Sequence, residues 1–109
     1  MALTYLILAE GLRSKASGVR VVASVDTCLV HFLVAGEWRQ VMTVPSTAGK
    51  AVINRLRIMA DLDPTTRQRP HRGEIHGVLD GTPVLLKVNV QTRPDGSQES
   101  NVTIPETAA

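Results

Sequence analysis

The sequence predicts an α+β domain: a mostly antiparallel sheet with two flanking helices, in the order α-β-β-β-α-β-β-β. Three observations carry this. Apolar residues recur with helical spacing in two segments, one near the N-terminus and one mid-chain. The remaining apolar segments are short and Val-rich, as strands are. Ala35-Gly36, Asp80-Gly81 and Asp95-Gly96 are hairpin signals between neighbouring strands, which makes antiparallel pairing the natural arrangement.

The first helix is expected over residues 3–15. There Leu3, Leu6, Ile7 and Leu12 share a face, Glu10, Arg13 and Lys15 meet water, and Ser17-Gly18 ends it. From Val19 to Val25 the period becomes two, with Val19, Val21, Ala23 and Val25 on one side of a half-buried strand. Strands over Cys28–Val34 and Trp38–Val44 follow, joined by Ala35-Gly36-Glu37. Pro45-Ser46 opens the second helix, with Ser46 as N-cap. Its apolar positions are Val52, Ile53, Leu56, Met59 and Ala60, while Lys50, Arg55 and Arg57 decorate other faces. Asp61-Leu-Asp-Pro64 closes it, because a proline disfavours helix in the residue before it.

Thr65 to Gly73 is polar and basic and reads as a loop. Strands are expected over Glu74–Leu79, Pro83–Thr92 and around Glu99–Ile104. In the second of these, Leu86, Val88 and Val90 oppose Lys87, Asn89 and Gln91. Residues 1–104 form one domain and 105–109 a frayed tail. The two β-meanders, each preceded by a helix, form a loose repeat of architecture without a repeat of residues.

Composition bounds the function. At 109 residues the chain suits one domain, and 43% hydrophobic residues suffice for a core. Aromatics are only 3%, namely Tyr5, Phe32 and Trp38, so that core is aliphatic and base-stacking platforms are disfavoured. A net charge of +2 with interspersed signs argues for neither nucleic acid nor a membrane surface. A lone cysteine, Cys28, excludes an internal disulfide and points to a reducing, cytoplasmic setting. The N-terminal apolar stretch lacks a positive n-region and is broken by Glu10, so it reads neither as a signal peptide nor as a span.

No catalytic constellation emerges. Ser46-Thr-Ala-Gly-Lys50 ends in Gly-Lys, but a phosphate loop needs an upstream glycine and a Ser or Thr after the lysine; here Pro45 precedes and Ala51 follows. The segment reads as a helix start. Glu74 and His76 would share a strand face with His71 nearby, yet no zinc spacing occurs and Cys28 has no partner thiol. Cys28, in an apolar run, reads as a structural thiol. No cofactor is expected. The local charge anomaly is Arg67-Gln-Arg-Pro-His-Arg72: Arg67, Arg69 and Arg72 form either an anion or partner contact or a solvated loop.

Asn54-Arg-Leu-Arg-Ile-Met-Ala-Asp-Leu-Asp63, followed by Arg69-Pro70 and Gly73, resembles a signature of the secretion-ATPase superfamily. These are the hexameric motors of type II secretion and type IV pilus assembly. Leu6-Ile-Leu-Ala-Glu10 with Lys15-Ala-Ser17 is similar to the family's first helix and following turn, and Val34-Ala-Gly36 to its Ile-Asp-Gly hairpin. The resemblance covers most of the chain and implies the PAS-like domain that precedes the ATPase core. In the motors that domain packs on the core and lends arginines to nucleotide phosphates. The phosphate-facing positions depart from the family. Its Arg-Tyr-Arg stands here as His31-Phe32-Leu33, its Asp-Gly-Arg as Arg72-Gly73-Glu74, and its Asp-Ile-His as Gly18-Val19-Arg20.

The resemblance therefore implies a non-enzymatic interaction or regulatory domain with a protein partner, a secretion or pilus ATPase or its platform. Two alternatives stand beside it. One is the N-terminal piece of a motor that contacts nucleotide only with its core; the other is a small anion- or nucleotide-binding sensor. An exposed edge strand, taken to be the last one, offers a route to a homo-oligomer.

Overall fold

The computed structural model describes residues 2–60, 71–79 and 81–104. The elements come in the expected order: α1 (Ala2–Arg13), β1 (Gly18–Ala23), β2 (Thr27–Val34), β3 (Glu37–Pro45), α2 (Ser46–Met59), β4 (His71–Leu79), β5 (Thr82–Thr92) and β6 (Gln98–Thr103). All six strands form one antiparallel sheet in the order β3-β2-β1-β6-β5-β4. Each meander is a block of three neighbours, and the β1–β6 pairing, with Val21 opposite Ser100, welds the blocks together.

That order corrects one expectation. The last strand is not an edge but lies at the centre, and the edges are β3 and β4. Period-two patterning tells which face a residue takes and nothing about which strands are neighbours. It also qualifies the repeat: the first strand of the first meander is central, and the first strand of the second is an edge.

Both helices lie on one face. Val19, Val21 and Ala23 of β1, Cys28, Val30 and Phe32 of β2, Leu86, Val88 and Val90 of β5 and Val102 of β6 turn toward them and are buried. From above they meet Ile7 and Leu8 of α1 and Val52, Ile53 and Leu56 of α2. Of the three aromatics only Phe32 is buried, so the core is aliphatic as composition implied. α2 approaches closely enough that a Cβ built on Gly49 would overlap the Cβ and Sγ of Cys28. The Gly-Lys pair of Ser46–Lys50 is thus inside a helix, with its glycine serving packing.

Local chemistry sets the boundaries. α1 stops before Lys15, which takes φ 59° while the N–H groups of Lys15 and Ala16 donate back to Leu12 (3.1 Å) and Gly11 (2.9 Å). That is a Schellman-type end without glycine. The β2–β3 turn places Ala35 (φ 53°) and Gly36 (φ 80°) in the left-handed region, as a type I′ hairpin requires. At Asp95-Gly96, the Asp95 carboxylate accepts from the Ser97 N–H (2.9 Å) and hydroxyl (2.6 Å), and the Gly96 N–H donates to the Arg93 carbonyl (2.9 Å). These bonds to Ser97 hold the Asp95 carboxyl below its usual range.

Several side chains sit elsewhere than periodicity implied. The buried stripe of α1 is Thr4, Ile7, Leu8 and Gly11, and Leu6 is 46% exposed, because α1 beds between sheet and α2 on that stripe. Val25 lies beyond the end of β1 and is exposed. Ser46 does not cap α2; Pro45 holds the cap position, and the Ser46 hydroxyl donates to the Ser24 carbonyl, tying the helix to the β1–β2 turn. Arg57 is buried at 2% exposure rather than decorating a solvent face. β4 begins at His71, so the end of the predicted loop is strand. The helix closure at Asp61–Pro64, most of the basic loop and the tail at 105–109 lie outside the described residues.

Candidate docking face of the sheet

With both helices on one side, the other side of the sheet carries no described element. Register places its residues in cross-strand rows. One row runs Gln40, His31, Arg20, Asn101, Asn89, Arg72 from β3 to β4. The adjacent row runs Trp38, Leu33, Gly18, Thr103, Lys87, Glu74. A third holds Thr43, Leu29, Val22, Glu99 and Gln91.

The face is divided chemically. Its β3-β2-β1 half holds the apolar residues, Leu29, Leu33 and Val22 half-buried and Trp38 40% exposed, on either side of the polar pair His31 and Gln40. Gly18 makes the seat for Trp38: a Cβ there would come within 3.2 Å of the indole and 3.5 Å of Leu33 Cβ. The other half is polar, and Arg20 marks the boundary. Its guanidinium lies 4.0 Å from the centroid of the Trp38 ring, and its Nε–H donates to Asn101 Oδ1 (3.1 Å).

From Arg20 a chain of hydrogen bonds runs along β6. Asn101 Nδ2 donates to Glu99 Oε2 (2.6 Å), and Glu99 Oε1 accepts from Arg93 Nε (2.7 Å) and Nη2. Glu99 is only 7% exposed. Burial pushes its carboxyl up, but hydrogen bonds from Asn101 and Arg93 and the charges of Arg93 and Arg20 outweigh burial and leave it below its usual value. The Arg20–Asn101–Glu99–Arg93 network is therefore charged and braced at neutral pH. Next to it, Arg72, Glu74, Lys87, Asn89, Asn101 and Thr103 line a trough of about 470 Å³ between β4, β5 and β6.

Of the predicted site residues, Arg72 stands on this face in the row of Arg20, whereas Arg67 and Arg69 lie outside the described residues. His76 Nε2 and Glu74 Oε1 are 3.8 Å apart and exposed, and no group of three metal-ligating side chains occurs among the described residues. Cys28 is buried and burial pushes its thiol up, which fits a structural thiol. Sequence reasoning missed Arg20 and Trp38, whose juxtaposition depends on a register three strands wide. The available signal was Gly18 two residues before Arg20, a strand position without a side chain.

Residues 2–103 match the family described as type II/IV secretion system protein. The chain belongs to that family. It is 34% identical over 79 residues to the type IV pilus assembly ATPase PilB of Myxococcus xanthus, across 72% of this chain and 14% of that protein. The chain thus spans about a seventh of that relative's length. No helix among the described residues is long and apolar enough to cross a membrane.

Leu56 and Ala60 within the matching helix pack in the core. The departures at Gly18, Arg20, His31, Leu33, Arg72 and Glu74 all fall on the open face, each separated from the next by a core-facing residue.

Proposed function

We propose that this chain is a non-enzymatic interaction module of a type II secretion or type IV pilus system, working in the cytoplasm and docking on a protein partner. The partner class is the secretion or pilus ATPase or its platform. The observation that carries the reading is the open face: a six-stranded sheet covered by helices on one side and presenting Trp38, Leu33 and a braced Arg20 on the other. A sheet with one open apolar-and-polar face is suited to burial against another protein.

Size exclusion of the purified chain with the secretion ATPase of its own organism, in the presence of ATP, tests this. A shared peak, lost on Trp38→Ala combined with Leu33→Asp, is the expected result. Separate peaks would reduce the link to ancestry.

The position of Arg72 beside Lys87 and Asn89 favours a second reading, an anion- or nucleotide-binding sensor using Arg67, Arg69 and Arg72. A thermal shift with ATP or a cyclic nucleotide is its expected signature, and a flat response rules it out.

A further inference from the structure

We infer that the open face takes an acidic, amphipathic protein segment, its carboxylates over Arg20 and Arg72 and its apolar side on Trp38 and Leu33. This rests on the docking reading and specifies the chemistry of the partner.

The open face carries unbalanced positive charge. The face carries three cations on its strands, Arg20, Arg72 and Lys87, and two carboxylates, Glu74 and Glu99. Glu99 is taken up by Arg93 and Asn101. Glu74 sits directly opposite Lys87 across the β4–β5 pair. Arg20 and Arg72 remain. Arg20 spends its Nε on Asn101, and its Nη groups have no hydrogen-bond partner among the described residues. Arg72 is exposed and pairs with no carboxylate among them.

Geometry adds a length and a side. Arg20 and Arg72 stand in one row with β6 and β5 between them, a separation of about 14 Å at the usual strand spacing. Asn101 and Asn89 fill the interval, and both are able to bond a carboxylate or a backbone. That interval corresponds to roughly two to three helical turns in a partner. Leu33 and Trp38 lie in the neighbouring row, to one side, on β2 and β3, so the complementary segment has acidic and apolar sides rather than uniform charge. Arg20 is preorganised by Trp38 and Asn101, which lowers the ordering cost of a charge-assisted contact.

The test is an NMR titration of the isotope-labelled chain with a synthetic amphipathic helical peptide bearing glutamates on one side and leucines on the other. A counterpart with glutamine at every glutamate and inorganic phosphate are titrated separately. The expected result is shifts confined to Arg20, Asn89, Asn101, Arg72 and the Trp38 indole. The glutamine peptide should bind more weakly, and Arg20→Gln with Arg72→Gln should weaken binding about tenfold. The spectrum of the double variant reports separately that it is folded. No shifts, equal response to both peptides, or shifts on the helical side overturns the inference. The same shifts from phosphate would also overturn it, making the face a small-anion site. Because the peptide replaces the motor, failure here is distinguishable from failure of the co-elution: a shared peak with a silent titration keeps docking and rejects acidic recognition.

Discussion

Gly49 of α2 lies directly against Cys28 of β2, with no room for even a methyl group between helix and strand. The neighbour it would strike includes the Cβ of Cys28, which cannot swing away as a long side-chain tip would. Gly49→Ala gains about 0.5–1 kcal/mol of helix propensity and forces an overpacked contact worth about 1–3 kcal/mol. The expected net is a loss of roughly 1–2 kcal/mol, read as a lower melting temperature. Gly77→Ala is the control, since nothing lies within 4 Å of a Cβ built there. The same shift of α2 should expose Cys28, so a thiol reagent should label Gly49→Ala faster than the parent chain. Equal stability and equal labelling would show that the helix moves aside freely.

The stack of Arg20 on Trp38 can be read optically, because Trp38 is the chain's one tryptophan. Arg20→Gln should alter tryptophan emission and lower stability by about 0.5–1 kcal/mol, the range for an exposed cation–π pair. Unchanged emission would mean that the pair does not persist in solution.

Acid stability should depend on Glu99. Its folded-state pKa is below the unfolded value, so its contribution is present above the unfolded pKa, about 4.3, and is lost as pH falls through the depressed folded value. Denaturant melts of Glu99→Gln between neutral pH and about pH 2 should show a shallower fall than the parent. Some fall should persist, because Asp95 is depressed in the same direction by Ser97. Parallel curves would remove Glu99 from the account.

Ala35 occupies a left-handed position in the β2–β3 turn that asparagine tolerates better. Ala35→Asn should therefore raise stability by about 0.5–1 kcal/mol without altering the fold. A neutral or negative change in a denaturant melt would contradict the I′ assignment.

Much of this was legible in the residues. Alternation placed Val19, Val21, Ala23, Leu86, Val88 and Val90 on the core face, and Ala35-Gly36 and Asp95-Gly96 marked their hairpins, because these are local constraints. Strand order was not legible, since the partner of Val21 is Ser100, far away in sequence and invisible to any window. Arg57 also defeated the reading. Helical spacing set it apart from the apolar stripe, but it stands one turn from Ile53 and Ala60 and is buried with them, while Lys50 and Arg55 stay exposed. Of the predicted arginine site only Arg72 found a described place, and its significance arises from Arg20, three strands away.

The weld between β1 and β6 also governs how the chain can reach its structure. β1 is joined to β2 by a short turn, whereas its other edge is paired by residues 98–103, the last strand to be synthesised. Until that strand pairs, Val19 and Val21 belong to a strand with an open flank, a template for any passing extended segment. Completing the sheet requires β6 to close on β1, and the folding rate is expected to follow that long loop rather than the short hairpins on either side.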